Sequence, residues 1–350
     1  MVNSRLWKQI VTRQIPFLIA EIGVNHENDI KIAKKMIDEA KKAGADAVKF
    51  QTYKAEKLAV KDSPAYWDRT KEKTYSQYEL FKKYDKFGEK EFLLLADYCK
   101  KRDIIFLSTP FDFSAADFLD KLVPFFKIAS SDITNIPFIR YIARKKKPII
   151  LSTGAATIAE IDEAVNTIKE KGNRNIALLH CILDYPTQFE DANLNMIKHM
   201  KNIYPDLVIG YSDHTVPDKN MLILTMAYLS GAQIIEKHFT LDKSLPGNDH
   251  YHAMNPDDIR IFKNNLDLIL TIGGEYYKKP MACERVSREN ARRSLVANTA
   301  IRKGQIITTK MLTMKRPGTG ISPKFFDQVV GRRAGQDIAK DEIITWSMLI

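Results

Sequence analysis

From residue 17 to residue 272 the chain repeats one pattern eight times: a short apolar run, then a stretch of helical periodicity. The runs occupy 17–22, 47–50, 104–107, 125–128, 148–151, 176–179, 207–209 and 232–235, and they read as buried strands. Between the first two, Ile32, Met36, Ile37, Ala40 and Ala43 share one helical face, which Gly44 ends. Further helices are expected to start near Glu89, Ser114, Ile136, Ile158, Leu194, Lys219 and Asp257. Eight strand–helix units in about 255 residues match a (β/α)8 barrel, the TIM barrel, in number and size. An open doubly wound sheet alternates similarly, but it usually carries a glycine-rich phosphate turn after its first strand. Here that place reads EIGVNHEN. The segment 54–86, rich in Lys and Tyr, is extra to the repeat and is expected to lie over the barrel mouth as a lid or loop.

After Cys283 the pattern changes to β-branched runs separated by turn signals. IRKGQIITTKML at 301–312 recurs as IAKDEIITWSML at 338–349. Two copies make no solenoid; they suggest a small β-rich domain with pseudo-twofold symmetry. The expected organisation is a catalytic barrel over 1–272, a linker over 273–288 and the small domain over 289–350.

Composition narrows the class. The 350 residues, 45% hydrophobic and 28% charged, suffice for one large core and a small one. The longest apolar runs, such as 221–229, are too short to cross a bilayer, and the short apolar piece at 15–20 runs into Glu21, so no signal peptide is read. Three scattered cysteines suit a reduced cytoplasm, with Cys181 expected as a buried structural thiol rather than a nucleophile. The net charge of +11 rests largely on lysines interspersed with acids on helix faces. That fits a solvated surface or an anionic small substrate better than nucleic acid.

In a barrel of this kind chemistry sits at the carboxyl ends of the strands. In order, these ends present Glu21 with Asn25 and His26; Lys49 and Gln51; Ser108 and Thr109; Lys127, Ser130, Ser131 and Asp132; Ser152 and Thr153; His180 and Tyr185; Ser212, Asp213 and His214; and Glu236 and His238. Two subsets have their own logic. His214 and His238 close adjacent strands and are expected to converge on one divalent ion, with Glu236 orienting a ligand or water. Two histidines with oxygen ligands suit Mn2+, Mg2+ or Co2+. Lys49 and Lys127 are expected to point inward beside Ser108, Thr109, Ser130 and Ser152. Without nearby acids, two buried ammonium groups need an anion, and clustered hydroxyls suit a phosphate monoester or a carboxylate.

The segments AEIGVNHEND, AGADAVKFQT, FLSTPFD, FKIASSDITN, PIILSTGAAT, LLHCILDYPT, IGYSDHT and IEKHFT with PGNDHYHAMNP resemble, in this order, the sialic acid synthases. That family includes N-acetylneuraminate synthase and the enzymes making legionaminic and pseudaminic acids. LTMKRPGTGISP and VVGRRAGQDI resemble its C-terminal antifreeze-like (SAF) domain. The resemblance implies a transferase that condenses phosphoenolpyruvate with the aldehyde of an N-acylated hexosamine and releases phosphate. It places Lys49, Thr109, Lys127, Ser130, Ser152 and Ser212 on phosphoenolpyruvate. His214 and His238 become the metal ligands, and Glu21 the general base. Asp132, Tyr185 and Asp249 fall on the acceptor sugar. Arg316 matches an arginine that reaches the partner subunit's site, which implies a domain-swapped homodimer.

Three departures leave the acceptor open between N-acetylmannosamine, a diacetamido-trideoxyhexose and other amino sugars. Ile182 and Leu183 stand where many members are polar, Ser130–Asp132 reads SSD in place of Ser-Gly-Glu, and Arg292 and Arg293 replace apolar residues of some members. The alternatives are a 3-deoxy-ulosonate synthase using a sugar phosphate, a metal-assisted hydrolase or aldolase, and a non-catalytic polyanion-binding protein.

Overall fold

The eight expected strands form in the computed structural model, which describes residues 2–247 and 249–350. They are β1 (Phe17–Gly23), β2 (Ala47–Thr52), β3 (Ile105–Pro110), β4 (Phe126–Ile128), β5 (Ile149–Ser152), β6 (Ile176–Cys181), β7 (Val208–Asp213) and β8 (Ile234–His238). All pair in parallel, in the order β3-β2-β1-β8-β7-β6-β5-β4. Because β3 and β4 also pack side by side, the sheet is a nearly closed TIM-like barrel.

Local chemistry sets the helices. Asp29 caps Ile30–Ala43 by accepting from the Lys31 and Ile32 amides, and Gly44 stops it at φ 105°, a left-handed value that suits glycine. That helix buries Ala33, Met36, Ile37, Ala40 and Ala43, so Ala33 replaces the half-buried Ile32 at the centre of the expected face. Thr157 and Glu160 form a reciprocal capping box before Ile158–Glu170.

An N-terminal helix, Val2–Thr12, was not anticipated from the sequence. Its Trp7 packs edge-on against Phe125, and Phe125 against Phe17, each at 6.0 Å between ring centroids. Phe17 opens β1 and Phe125 immediately precedes β4, so this helix covers the amino-terminal end of the barrel. The 54–86 segment is also more built than a loop. It contains helices Ala55–Leu58 and Gln77–Tyr84, a Pro64–Ser76 bridge and a buried Trp67 that donates to the Glu72 carbonyl.

The chain divides into two units, Met1–Gly273 and Gly274–Ile350. Residues 274–293 are exposed, and a helix, Arg285–Ala291, runs through the expected boundary at 288. In the second unit β9 (Ser294–Ala297) pairs antiparallel with β10 (Leu312–Lys315). The repeat is visible in its hydrogen bonds. Ile301 and Ile338 exchange both backbone bonds, and Asn298 N–H to Met311 C=O is matched by Gly335 N–H to Met348 C=O. Ile307 and Ile344, equivalent in the two copies, are both fully buried.

Gly210 on β7 faces into the barrel opposite Leu179. A Cβ there would lie 2.4 Å from both the Leu179 side chain and the Ile234 carbonyl oxygen. Backbone on one side cannot yield, so the position tolerates only glycine. Gly210→Ala is expected to destabilise the first unit by about 1–3 kcal/mol, read as a lowered midpoint in urea unfolding followed by circular dichroism.

Candidate active site

Strand register decides what meets at the barrel mouth. Parallel partners point the same way, so Glu21 shares its face with Lys49 on β2 and His238 on β8. Ser212 shares its face with Glu236. Glu21, Lys49, Thr109, Lys127, Ser130, Asp132, Ser152, Tyr185, Ser212, His214, His238 and Asp249 all line one cavity of about 400 Å³. Tyr66, Trp67, Leu80, Phe81 and Tyr84 of the 54–86 segment form one of its walls. Ser108, expected beside the lysines, does not join them: alternation turns it to the outer face, where it bonds Thr52 at 2.7 Å.

The two lysines are not without acids, contrary to the expectation from sequence. Lys49 is ion-paired to Glu21, lies 3.8 Å from Glu236 and donates to the Thr109 hydroxyl at 3.0 Å. Lys127 lies 3.5 Å from the same Glu236 oxygen. Glu236 was expected to serve the metal region, but it bridges the two ammonium groups and accepts from Ser212 at 3.2 Å. All four charged groups are nearly inaccessible to water. Burial pushes the Glu21 carboxyl above its ordinary range, against the pull of Lys49, and Glu236 adds to the rise. Burial would also lift Glu236, but Lys127 and Lys49 together hold it below its usual value. Burial pulls Lys127 down.

Hydroxyls surround this cluster. The Ser152 hydroxyl is buried without a hydrogen-bond partner. Ser130 accepts from the Gly154 amide at 2.9 Å. Cys181 is buried nearby, and burial pushes its thiol up to about 11, which makes it a poor nucleophile at neutral pH. Asp132 accepts from Asn135 at 3.0 Å, and burial raises its carboxyl.

Histidines gather above the lysines. The His214 and His238 rings are 5.5 Å apart between centroids, with Tyr185 lying 4.1 Å from His214. His214 Nδ1 donates to the Ile182 carbonyl at 2.7 Å, which leaves the Nε2 lone pair available. Burial first, and His238 second, bring His214 down to about 3, so the ring is neutral. For His238 burial acts downward, but Asp249 and Glu21 more than offset it and the net shift is upward.

The chain after β8 folds back along it: Met254 N–H donates to His238 C=O at 2.8 Å and Thr240 N–H to Met254 C=O at 2.9 Å. The return sets Asp249 3.4 Å from His238 Nδ1 and places the His252 ring, tilted by 52°, 5.0 Å from the His238 ring between centroids. Among the described residues, His238, Asp249 and His252 form the group whose ligand atoms all fall within 4.8 Å of one another. Both His252 nitrogens are buried and, among the described residues, lack hydrogen-bond partners. This set of nitrogen and carboxylate donors fits a divalent cation. Sequence reasoning passed over His252 because it lies in a returning loop; its only signal was the histidine-rich DHYH. Arg316 belongs to the second unit, next to the cis Arg316–Pro317 bond.

Lys237, between Glu236 and His238, faces the other way. It is fully buried, pairs with Asp213 at 2.6 Å and donates to the Thr215 carbonyl at 2.6 Å. Tyr211 completes the group by donating to Asp213 at 2.9 Å.

Comparison with known proteins gives consistent matches. The NeuB family model covers residues 36–278, and the SAF domain model covers 292–350. The chain is 43% identical to an uncharacterized protein of Methanocaldococcus jannaschii, over 95% of this chain and 94% of that one. It is 40% identical to the N,N'-diacetyllegionaminic acid synthase of Campylobacter jejuni, over 93% of this chain and 98% of that one. A solved N-acetylneuraminic acid (sialic acid) synthetase from Leptospira borgpetersenii, in complex with citrate, superposes with a TM-score of 0.68 at 37% identity. That match covers 78% of this chain and 90% of the other.

The Lys237–Asp213 pair separates stability from chemistry at the same strand end. Asp213→Ala leaves a fully buried ammonium unpaired, which is expected to cost about 3–5 kcal/mol. Denaturant unfolding of the variant, compared with the double variant Asp213→Ala/Lys237→Met, reads the effect; the double variant is expected to recover most of the loss.

Proposed function

The chain belongs to the NeuB family, and from that premise we propose that it is a nonulosonic acid synthase. In this reading it condenses phosphoenolpyruvate with the open-chain aldehyde of an N-acylated hexosamine, takes up water and releases inorganic phosphate. The observation that carries the reading is the single cavity with Lys49, Lys127 and unpartnered Ser152 on its strands and His214, His238 and Asp249 at its rim. The name of the Campylobacter relative supports the same reaction class.

Each part of the site then has a task. Lys49 and Lys127, with Thr109, Ser130, Ser152 and Ser212, hold the phosphate and carboxylate of phosphoenolpyruvate, exchanging part of their pairing with Glu21 and Glu236 for the substrate's charge. His214 and His238, with Asp249 beside them, would hold a divalent cation (Mn2+, Mg2+ or Co2+), which when bound supplies electrophilic polarisation of the sugar aldehyde. The vinyl carbon attacks that aldehyde, a carbon–carbon bond forms and the aldehyde oxygen takes a proton. Water adds to the former enol carbon, and the carbon–oxygen bond to phosphate breaks. Glu21, whose carboxyl is raised, is placed to take a proton from the attacking water. Asp132 and Tyr185 line the acceptor end, where N-acetylmannosamine and diacetamido-trideoxyhexoses are the acceptors to compare. We assign Arg316 to the partner's site in a domain-swapped homodimer, and the enzyme to the cytoplasm. None of the described helices is long and apolar enough to cross a membrane.

Phosphate release is expected only when phosphoenolpyruvate, a divalent metal and an N-acylhexosamine are all present, with a nonulosonic acid identified by mass. Lys127→Met is expected to lower kcat/KM by about 100-fold or more, since it removes a charge from the transferring group. Release that survives chelation, or that requires a phosphorylated sugar, overturns the assignment.

A further inference from the structure

The return loop after β8 brings a third imidazole to the rim, and we propose that His252 is a direct ligand of the divalent ion, alongside His214, His238 and Asp249. The inference rests on the metal reading above and extends it. Three observations support it. His252 is fully buried, with no exposed surface at all. Among the described residues neither of its ring nitrogens has a hydrogen-bond partner, although a buried imidazole ordinarily satisfies at least one. A ligand atom of His252 lies within 4.8 Å of ligand atoms on both His238 and Asp249. The ring packs beside those of His238, Tyr185 and Tyr251, and among the described residues no hydrogen bond accounts for its position. A cation accounts for it: a lone pair directed into the group shared with His238 and Asp249 is satisfied as soon as the ion binds.

A chemical consequence follows for metal selection. Two imidazoles among oxygen donors accept Mg2+ readily, whereas three imidazoles and one carboxylate favour later transition ions, because imidazole suits Fe2+, Ni2+ and Zn2+ while oxygen donors suit Mg2+. His252 therefore makes the site selective against Mg2+, even where Mg2+ is in excess.

The test uses the full-length, metal-free protein with Mn2+ alone as the probe. Titration calorimetry gives the affinity, and pulsed EPR of the Mn2+ complex counts coordinated imidazole nitrogens. Three imidazoles are expected in the wild type and two in His252→Leu. Loss of an outer partner of a metal ligand already weakens binding about 10–100-fold, so His252→Leu is expected to weaken Mn2+ by at least about tenfold. In the wild type Zn2+, read by competition against bound Mn2+, is expected to bind at least about tenfold more tightly than Mg2+. The thermal midpoint of the metal-free variant is expected to equal or exceed that of the wild type, because unpartnered buried nitrogens cost stability there, while its rise on adding Mn2+ shrinks. An unchanged count and affinity in His252→Leu overturn the proposal while leaving the metal reading in place. Absence of Mn2+ binding by the wild type overturns the metal reading itself. A variant that fails to fold is replaced by His252→Gln, for which the same drop in nitrogen count is required.

Discussion

Two ammonium groups and two carboxylates, buried together inside a barrel, are the constraint around which the mouth of this protein is organised. Lys49 and Lys127 share Glu236, and Lys49 also takes Glu21. Each charge on its own would be prohibitively costly at that depth. Together they balance, and strand register is what allows them to meet: a shift of one residue in β8 would turn Glu236 out toward the helices and bring Lys237 in. The matched cluster also holds both lysines toward the cavity in the folded protein.

The same register separates two kinds of polar residue that look alike in a list. Glu236 and His238 face the cavity, while Lys237 between them pairs with Asp213 behind the sheet. One face carries groups whose partners are incomplete: among the described residues Ser152, Glu236 and, from the return loop, His252 have buried atoms without a hydrogen-bond partner. On the other face Lys237, Asp213, Tyr211 and Thr215 are paired with one another. Incomplete pairing on one side of a strand and complete pairing on the other is the physical distinction between a site and a support.

The barrel was legible in the sequence because each strand is a short apolar run and each helix has a clear face and a stop, such as Gly44. The residues at the strand ends were legible for the same reason, since alternation and position fix them once the strands are known. Four features were not. Glu236, the acid between Lys49 and Lys127, comes from a strand distant in sequence from both, and pairing across a closed barrel has no local signature. Ser108 looked equivalent to Thr109, yet neighbours on a strand point to opposite faces. The helix Val2–Thr12 and the ligand-like His252 lie outside the repeating unit, where the pattern that located everything else gives no guidance.

The stopper formed by Trp7 and Phe125 at the far end of the barrel has a bearing on traffic. A vessel with a sealed floor is filled and emptied through one opening, and the lysine cluster lies below the histidine rim. In the reading proposed above, the molecule held against Lys127 would therefore enter before the one held at the rim.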